Sequence, residues 1–592
     1  MRRRRTIGLA AFGAAAALAL AACGGGSSGG SGSGGSGGSS SNAAFNAGLT
    51  KVVNPSAQKG GTLTYDWRSA PDSFDPGNTY YAAVWDFARL YSQALMGYKS
   101  CPGACGKTLV PGLATAPGVV GDNGLTWTYH IRPGVKFEDG TTVTSQDVKY
   151  AVERTFDRSV LTNGPSYFAV LLGGNAAKYP GPYKDRSKNL MGLTAVTTPD
   201  PTTIVFHLAH PFADFNYVVT IPQTAPVPPD KDTGTKYQLH PQSTGPYKFQ
   251  SYQINKQLTL VKNPEWVASE DPGVTQLPSK IVVNMNMNPN DVDNRLIAGD
   301  AQVDFAGTGV QAAARAKILS SPTLKANSDD PITGFGWFIY IDSQVAPFTK
   351  LACRQAIEYA ANKTTLQNAY GGPVAGGAIA STVMPPTVTG YSKFDLYGAT
   401  TKPAGDQAKA KQELKACGQP NGFSTGIAYR SDRPTETQAA QALQQALTQV
   451  GIKTTLHGYP TATYFSDFAG VPKYMSTHNL GIAMGGWGAD WPDGYGFLDE
   501  LVNGNAIVPA GNTNIGMLND PVVNNLFAKA AGINDAAQRN AIWSQIDKQV
   551  MKDAVIVPEV YAKALIYRPS SLTNVYFDQA YQLNNYGVLG VK

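Results

Sequence analysis

Residues Trp127–Phe156 (WTYHIRPGVKFEDGTTVTSQDVKYAVERTF) constrain the fold more than any other part of the chain, because they change hydrophobic period once and turn twice in between. Trp127, Tyr129 and Ile131 alternate with Thr128, His130 and Arg132, the period-two pattern of a strand with one buried face. Pro133-Gly134 and Asp139-Gly140 then supply two turns. Thr144, followed three residues later by Asp147, is a helix start; the carboxylate sits favourably in the first turn, and Val148, Ala151, Val152 and Phe156 recur at helical spacing. The segment predicts a half-buried strand followed by a capped helix with one buried stripe.

The N-terminus carries a different signal. Arg2–Arg5 are basic, Ile7–Leu20 form an apolar run, and Leu20-Ala21-Ala22-Cys23 is a small-residue cleavage site. The run is shorter than the roughly 20 residues that span a bilayer, and an unbroken Gly/Ser tract follows it, so residues 1–22 are expected to be a lipoprotein signal peptide. Cys23 would then carry lipid, with 23–59 as a flexible tether. The four signal arginines account for most of the +6 formal charge and leave about +2, which gives no support to a nucleic-acid partner. About 530 residues remain after the tether, enough for two or three lobes. Of five cysteines, Cys101, Cys105, Cys353 and Cys417 are left for an oxidising compartment, where two disulfides are the natural count. Cys101–Cys105 already carries its turn, and Cys353–Cys417 would close a loop worth about 4 kcal/mol in the chain-entropy treatment. Zinc is the competing reading, disfavoured by three residues between the first pair and by no histidine nearby.

Ordered structure should begin near Lys59, with an edge-like strand at Thr62–Trp67 and a helix over Ala82–Met96. After a strand at Thr203–Leu208, the proline-rich stretch Pro211–Pro229 reads as a surface crossover. Further on, helices at Gln407–Cys417 and Glu436–Val450 alternate with strands at Gly426–Tyr429, Lys453–Leu456 and Leu480–Met484, the order of βαβ units.

Strand, Arg-Pro-Gly, Phe-x-Asp-Gly and capped helix together resemble the signature segment of family 5 extracellular solute-binding proteins, the receptors of ABC importers. Ser73-Phe74-Asp75-Pro76, Thr244-Gly245-Pro246-Tyr247, Asn263-Pro264-Glu265-Trp266, Gly299–Asp304 and Arg354–Ala360 resemble further motifs of that family in its order. The resemblance implies an α/β, two-lobed periplasmic-binding-protein-like fold (type II, cluster C) with an extra subdomain and a ligand cleft between the lobes. Lobe I would comprise 60–80, 210–326 and 560–592, the subdomain 81–209, and lobe II 327–559. It also implies a monomer that hands a peptide or other small solute to a permease and ATPase, at the extracellular face of the membrane, with no cofactor and no catalysis.

Enzyme signatures fail on context. Gly422-Phe423-Ser424-Thr425-Gly426 follows a helix and precedes a strand, the reverse of a nucleophile elbow. The six histidines are scattered, so no metal site is expected and nickel is disfavoured as a ligand. The strongest binding candidate is Gly485–Tyr495, where glycines admit close approach, Trp487 and Trp491 offer apolar faces, and Asp490 offers a carboxylate to an ammonium. By the resemblance, Asp490 would hold a peptide α-amino group and Arg433 its carboxylate, with Arg430 competing for the second role. Asp493 reads as turn chemistry before Gly494. Tyr65, Trp67, Tyr80 or Tyr81 could line side-chain subsites. The alternatives left open are an oligosaccharide or other small solute in the same fold, and a lipoprotein that acts in signalling.

Overall fold

The computed structural model describes residues 44–592; the signal peptide, Cys23 and most of the tether lie outside the described residues. Three larger sheets organise the chain. A five-stranded sheet has the order Val303–Asp304, Thr62–Asp66, Lys280–Asn284, Gln257–Lys262, Tyr247–Gln253. The strand expected at its edge is internal instead, because Thr62–Asp66 pairs in parallel with a strand on each side. Its period-two alternation reports only that Leu63 and Tyr65 are buried; it carries no information on how many neighbours the backbone has.

The strand of the opening motif, Thr126–His130, lies in a four-stranded antiparallel sheet, opposing Trp127 to Phe206 and Tyr129 to Ile204. The helix Ser145–Arg154 follows, with Val148, Ala151 and Val152 buried and Phe156 half-buried just beyond it. At its start the Thr144 N–H and hydroxyl both donate to Asp147 Oδ2 at 2.8 Å. The third sheet has six strands, in the order Gly377–Ile379, Ile556–Lys563, Ile332–Ile341, Ile482–Gly488, Ser424–Arg430, Lys453–Tyr459. Ser424–Arg430 runs parallel to Lys453–Tyr459, with the helix Pro434–Thr448 as the crossover between them, which is the βαβ geometry of a parallel pair.

Two further expectations are corrected. The helix from Ala82 stops at Ala88 rather than Met96. The carbonyls of Leu90 and Tyr91 instead accept the amides of Tyr247 (2.8 Å) and Thr244 (3.0 Å), and a Cβ on Gly245 would meet the Tyr91–Ser92 backbone at 2.9 Å. Docking against Thr244–Tyr247 thus takes the hydrogen bonds that would have continued the helix. The proline-rich stretch is also not superficial: Phe212, Phe215, Val218, Val219 and Ile221 are buried, in one aromatic core with Trp127 and Phe206. Polar side chains replace the ladder its prolines cannot form, as when Gln223 donates to the Pro165 carbonyl at 3.0 Å and Thr224 to that of Val219 at 3.0 Å. That core continues through Phe212 and Tyr495 into Trp491 and Trp543. Disulfides join Cys101 to Cys105 and Cys353 to Cys417, with Cα separations of 5.8 and 5.4 Å.

Candidate functional site

The strand Ile482–Gly488, internal to the six-stranded sheet, carries the glycine-rich segment. Its glycines serve the sheet: a Cβ on Gly485 would lie 2.8 Å from the Tyr340 ring, on Gly486 2.3 Å from Trp337, and on Gly488 2.7 Å from Phe335. The space a ligand was expected to use is therefore filled by aromatic side chains of the paired strand Ile332–Ile341. Past Gly488 the chain turns, fixed by the Asp490 amide on the Gly496 carbonyl (3.0 Å) and by Asp493, whose carboxylate accepts the Gly496 N–H at 3.0 Å and caps the helix Gly494–Val502.

That turn leaves Asp490 lining a solvent-open cleft together with Trp85, Arg89, Tyr98, Asp271 and Tyr581. Asp490 Oδ2 accepts the Tyr80 hydroxyl at 2.7 Å and also that of Tyr167. Oδ1 accepts no hydrogen bond, and no basic side chain lies within ion-pair distance among the described residues. Burial pushes the Asp490 carboxyl up to about 7, against the two tyrosine donors and with a further push from Asp499. Glu500, raised to about 8 by burial, Asp499 and Asp490, and Asp499, raised to about 6 by burial, make this part of the molecule short of positive charge.

The two arginines separate clearly. Arg430 is 4% exposed and locked: its guanidinium chelates Glu436, with Nε at 2.8 Å from Oε2 and a further contact through Nη2. The rings of Trp337, Tyr464 and Phe465 surround it at 5.6 to 5.9 Å. Arg433, just before the helix Pro434–Thr448, is half-buried, and no carboxylate pairs with it among the described residues. Burial, and then Arg430, lower its pKa, while Tyr81 is close enough to be perturbed by it.

Other expected site residues lie elsewhere. Trp491 is fully buried, nearly parallel to the rings of Tyr495 (5.9 Å) and Tyr217 (6.4 Å), and so presents no free face. Tyr65 is fully buried among Phe87, Phe305 and Tyr586, and Trp67 is stacked on Phe305 at 4.2 Å. Both belong to the core behind the five-stranded sheet, because the inward side of that strand packs on a helix instead of the cleft. Trp487 is half-buried, with its indole N–H unpaired. Tyr167, Trp85, Arg89, Tyr98, Asp271 and Tyr581 were missed; among 29 tyrosines nothing local marks Tyr167, whose partner lies 323 residues away.

A two-lobed α/β scaffold with a charged cleft defines a solute receptor, and the comparisons specify which kind. The model of bacterial extracellular solute-binding proteins, family 5, matches residues 108–508, and the chain belongs to that family. The structure of clavulanic acid biosynthesis oligopeptide binding protein 2 superposes with a TM-score of 0.89 at 39% identity, covering 93% of this chain and 99% of that one. DppA from Helicobacter pylori, solved with the peptide STSA, has the same fold at a TM-score of 0.71 and 21% identity, covering 90% of this chain and 98% of its own. The glutathione-binding protein GsiB of Escherichia coli is 26% identical over 514 residues, 85% of this chain and 88% of that protein.

Proposed function

We propose that the chain is the substrate-binding lipoprotein of an ABC importer, which captures extracellular di- or oligopeptides in the cleft and delivers them to a membrane permease. The observation that carries the peptide reading is Asp490, which lines the cleft with a carboxylate oxygen that accepts no hydrogen bond and with no basic partner among the described residues. A peptide α-amino group supplies the missing ammonium, and Arg433, which lies outside that lining and pairs with no carboxylate among the described residues, is our candidate for the peptide carboxylate. Its relatives, among them an oligopeptide binding protein and a glutathione-binding protein, support the same class. A sugar ligand loses its main argument, since Trp491 is enclosed in the aromatic core. Lipidation of Cys23 and monomeric action belong to this proposal, as do the lobe boundaries set out above.

Titration calorimetry with a tripeptide and its N-acetylated form tests the assignment. Free peptide should bind; acetylation and Asp490→Ala should each weaken binding at least about a hundredfold, because a desolvated charge that loses its partner typically costs about 3–5 kcal/mol. Equal binding of free and acetylated peptides would overturn the role of Asp490. Binding of an oligosaccharide alone would overturn the peptide reading.

A further inference from the structure

The cleft that includes Asp490 contains a second carboxylate without an ion-pair partner among the described residues, Asp271. Asp271 is 7% exposed; its Oδ2 accepts the Trp266 indole N–H at 3.1 Å, and the Gln93 side chain also bears on the carboxyl as a hydrogen-bond partner. Gln93, which lines the cleft with it and lies within reach of the same carboxylate, is 4% exposed, and its Oε1 has no donor. Native interiors rarely leave such an acceptor empty. Burial raises Asp271 only to about 6, so it is ionised at neutral pH.

The nearby arginines, Arg89 and Arg132, make no ion pair with Asp271. Arg89 is engaged by Asp86 at 2.8 Å and lies over the Tyr581 ring at 4.5 Å. Arg89 and Arg132 act on the Asp271 carboxyl through space, and Asp271 and Asp490 both line the cleft. Trp85 and Tyr98 line it as well, and their rings offer apolar surface to an aliphatic stem and π-faces to a cation.

Resting on the reading of this cleft as the peptide site, we infer that Asp271 and Gln93 form a subsite for a second cationic group of the ligand, a lysine- or arginine-type side chain. The ligand class narrows to peptides that carry a basic residue in addition to their α-amino group. A guanidinium suits two adjacent acceptors better than an ammonium, because its planar fork presents two N–H donors at once.

Calorimetry on the mature protein decides this with a tripeptide of alanine in which arginine, or its neutral isostere citrulline, replaces each position in turn. At one position arginine should bind about ten- to a hundredfold more tightly than citrulline, the range of a buried charge-assisted hydrogen bond. Asp271→Asn should remove that preference by bringing the arginine peptide down to the affinity of its citrulline counterpart, with the variant's folding checked separately by circular dichroism and melting temperature. Gln93→Leu should reduce the preference in part. Equal binding of arginine and citrulline peptides at every position, or a preference that survives Asp271→Asn, overturns the subsite. If no peptide binds but agmatine does, and loses binding in Asp271→Asn, the subsite stands and the peptide reading falls; no binding of any probe overturns both.

Discussion

Peptide binding should be coupled to deprotonation of Asp490. The carboxyl titrates near 7 in the free protein, because burial outweighs the hydrogen bonds from Tyr167 and Tyr80, and an ammonium is attracted only to its ionised form. Lowering the pH from 7.5 to 5.5 cuts the ionised fraction from about three-quarters to about three-hundredths, so affinity should fall roughly twentyfold. Above that range the gain is offset as the peptide amine, with a pKa near 7.7–8.0, loses its own proton. Binding at pH 7 should release about half a proton, measurable by calorimetry in buffers of different ionisation enthalpy. Asp490→Asn should abolish both the release and the slope, and Tyr80→Phe, which removes one donor to the carboxylate, should move the midpoint upward. Affinity that is flat between pH 5.5 and 7.5, or a slope that persists in Asp490→Asn, would refute the coupling and assign any titration to Asp499 or Glu500.

The arginines should divide between binding and stability. Arg433→Ala should weaken peptide binding with little change in melting temperature, whereas Glu436→Ala, which strands the buried Arg430 charge, should cost about 3–5 kcal/mol in denaturant unfolding; the reverse pattern would exchange their roles. Ligand-free protein should melt at a lower temperature at pH 8 than at pH 5.5, by scanning fluorimetry. Asp490, Glu500 and Asp547 have raised pKa values, so the stability present below the unfolded carboxyl range is lost as pH rises through about 7 to 8. Protein unfolded without reductant should show no titratable thiol from Cys101, Cys105, Cys353 or Cys417, and free thiols there would contradict the two bridges. Cys23→Ala should move the full-length protein from the membrane fraction to the medium or periplasm, and retention after a salt wash would refute the anchor.

Local order was legible wherever a segment's own residues fix its conformation. The strand and capped helix of Thr126–Arg154 and the alternation of Ser424–Gly488 follow from side-chain period and cap chemistry, which act over a few residues and so are written in consecutive positions. The motif order was enough to indicate the family for the same reason. Where partners come from far along the chain, the sequence was silent or misleading. Tyr65 and Trp67 have the same aromatic character whether they face a ligand or Phe305, and the glycines at 485, 486 and 488 make room for rings in a strand about 150 residues earlier. Arg430 and Arg433 are indistinguishable in one dimension; folding buries Arg430 against Glu436 and leaves Arg433 without a carboxylate. Residue type determined which chemistry each position could perform, and the long-range packing that desolvates one charge and leaves another unmatched decided which positions are free to perform it.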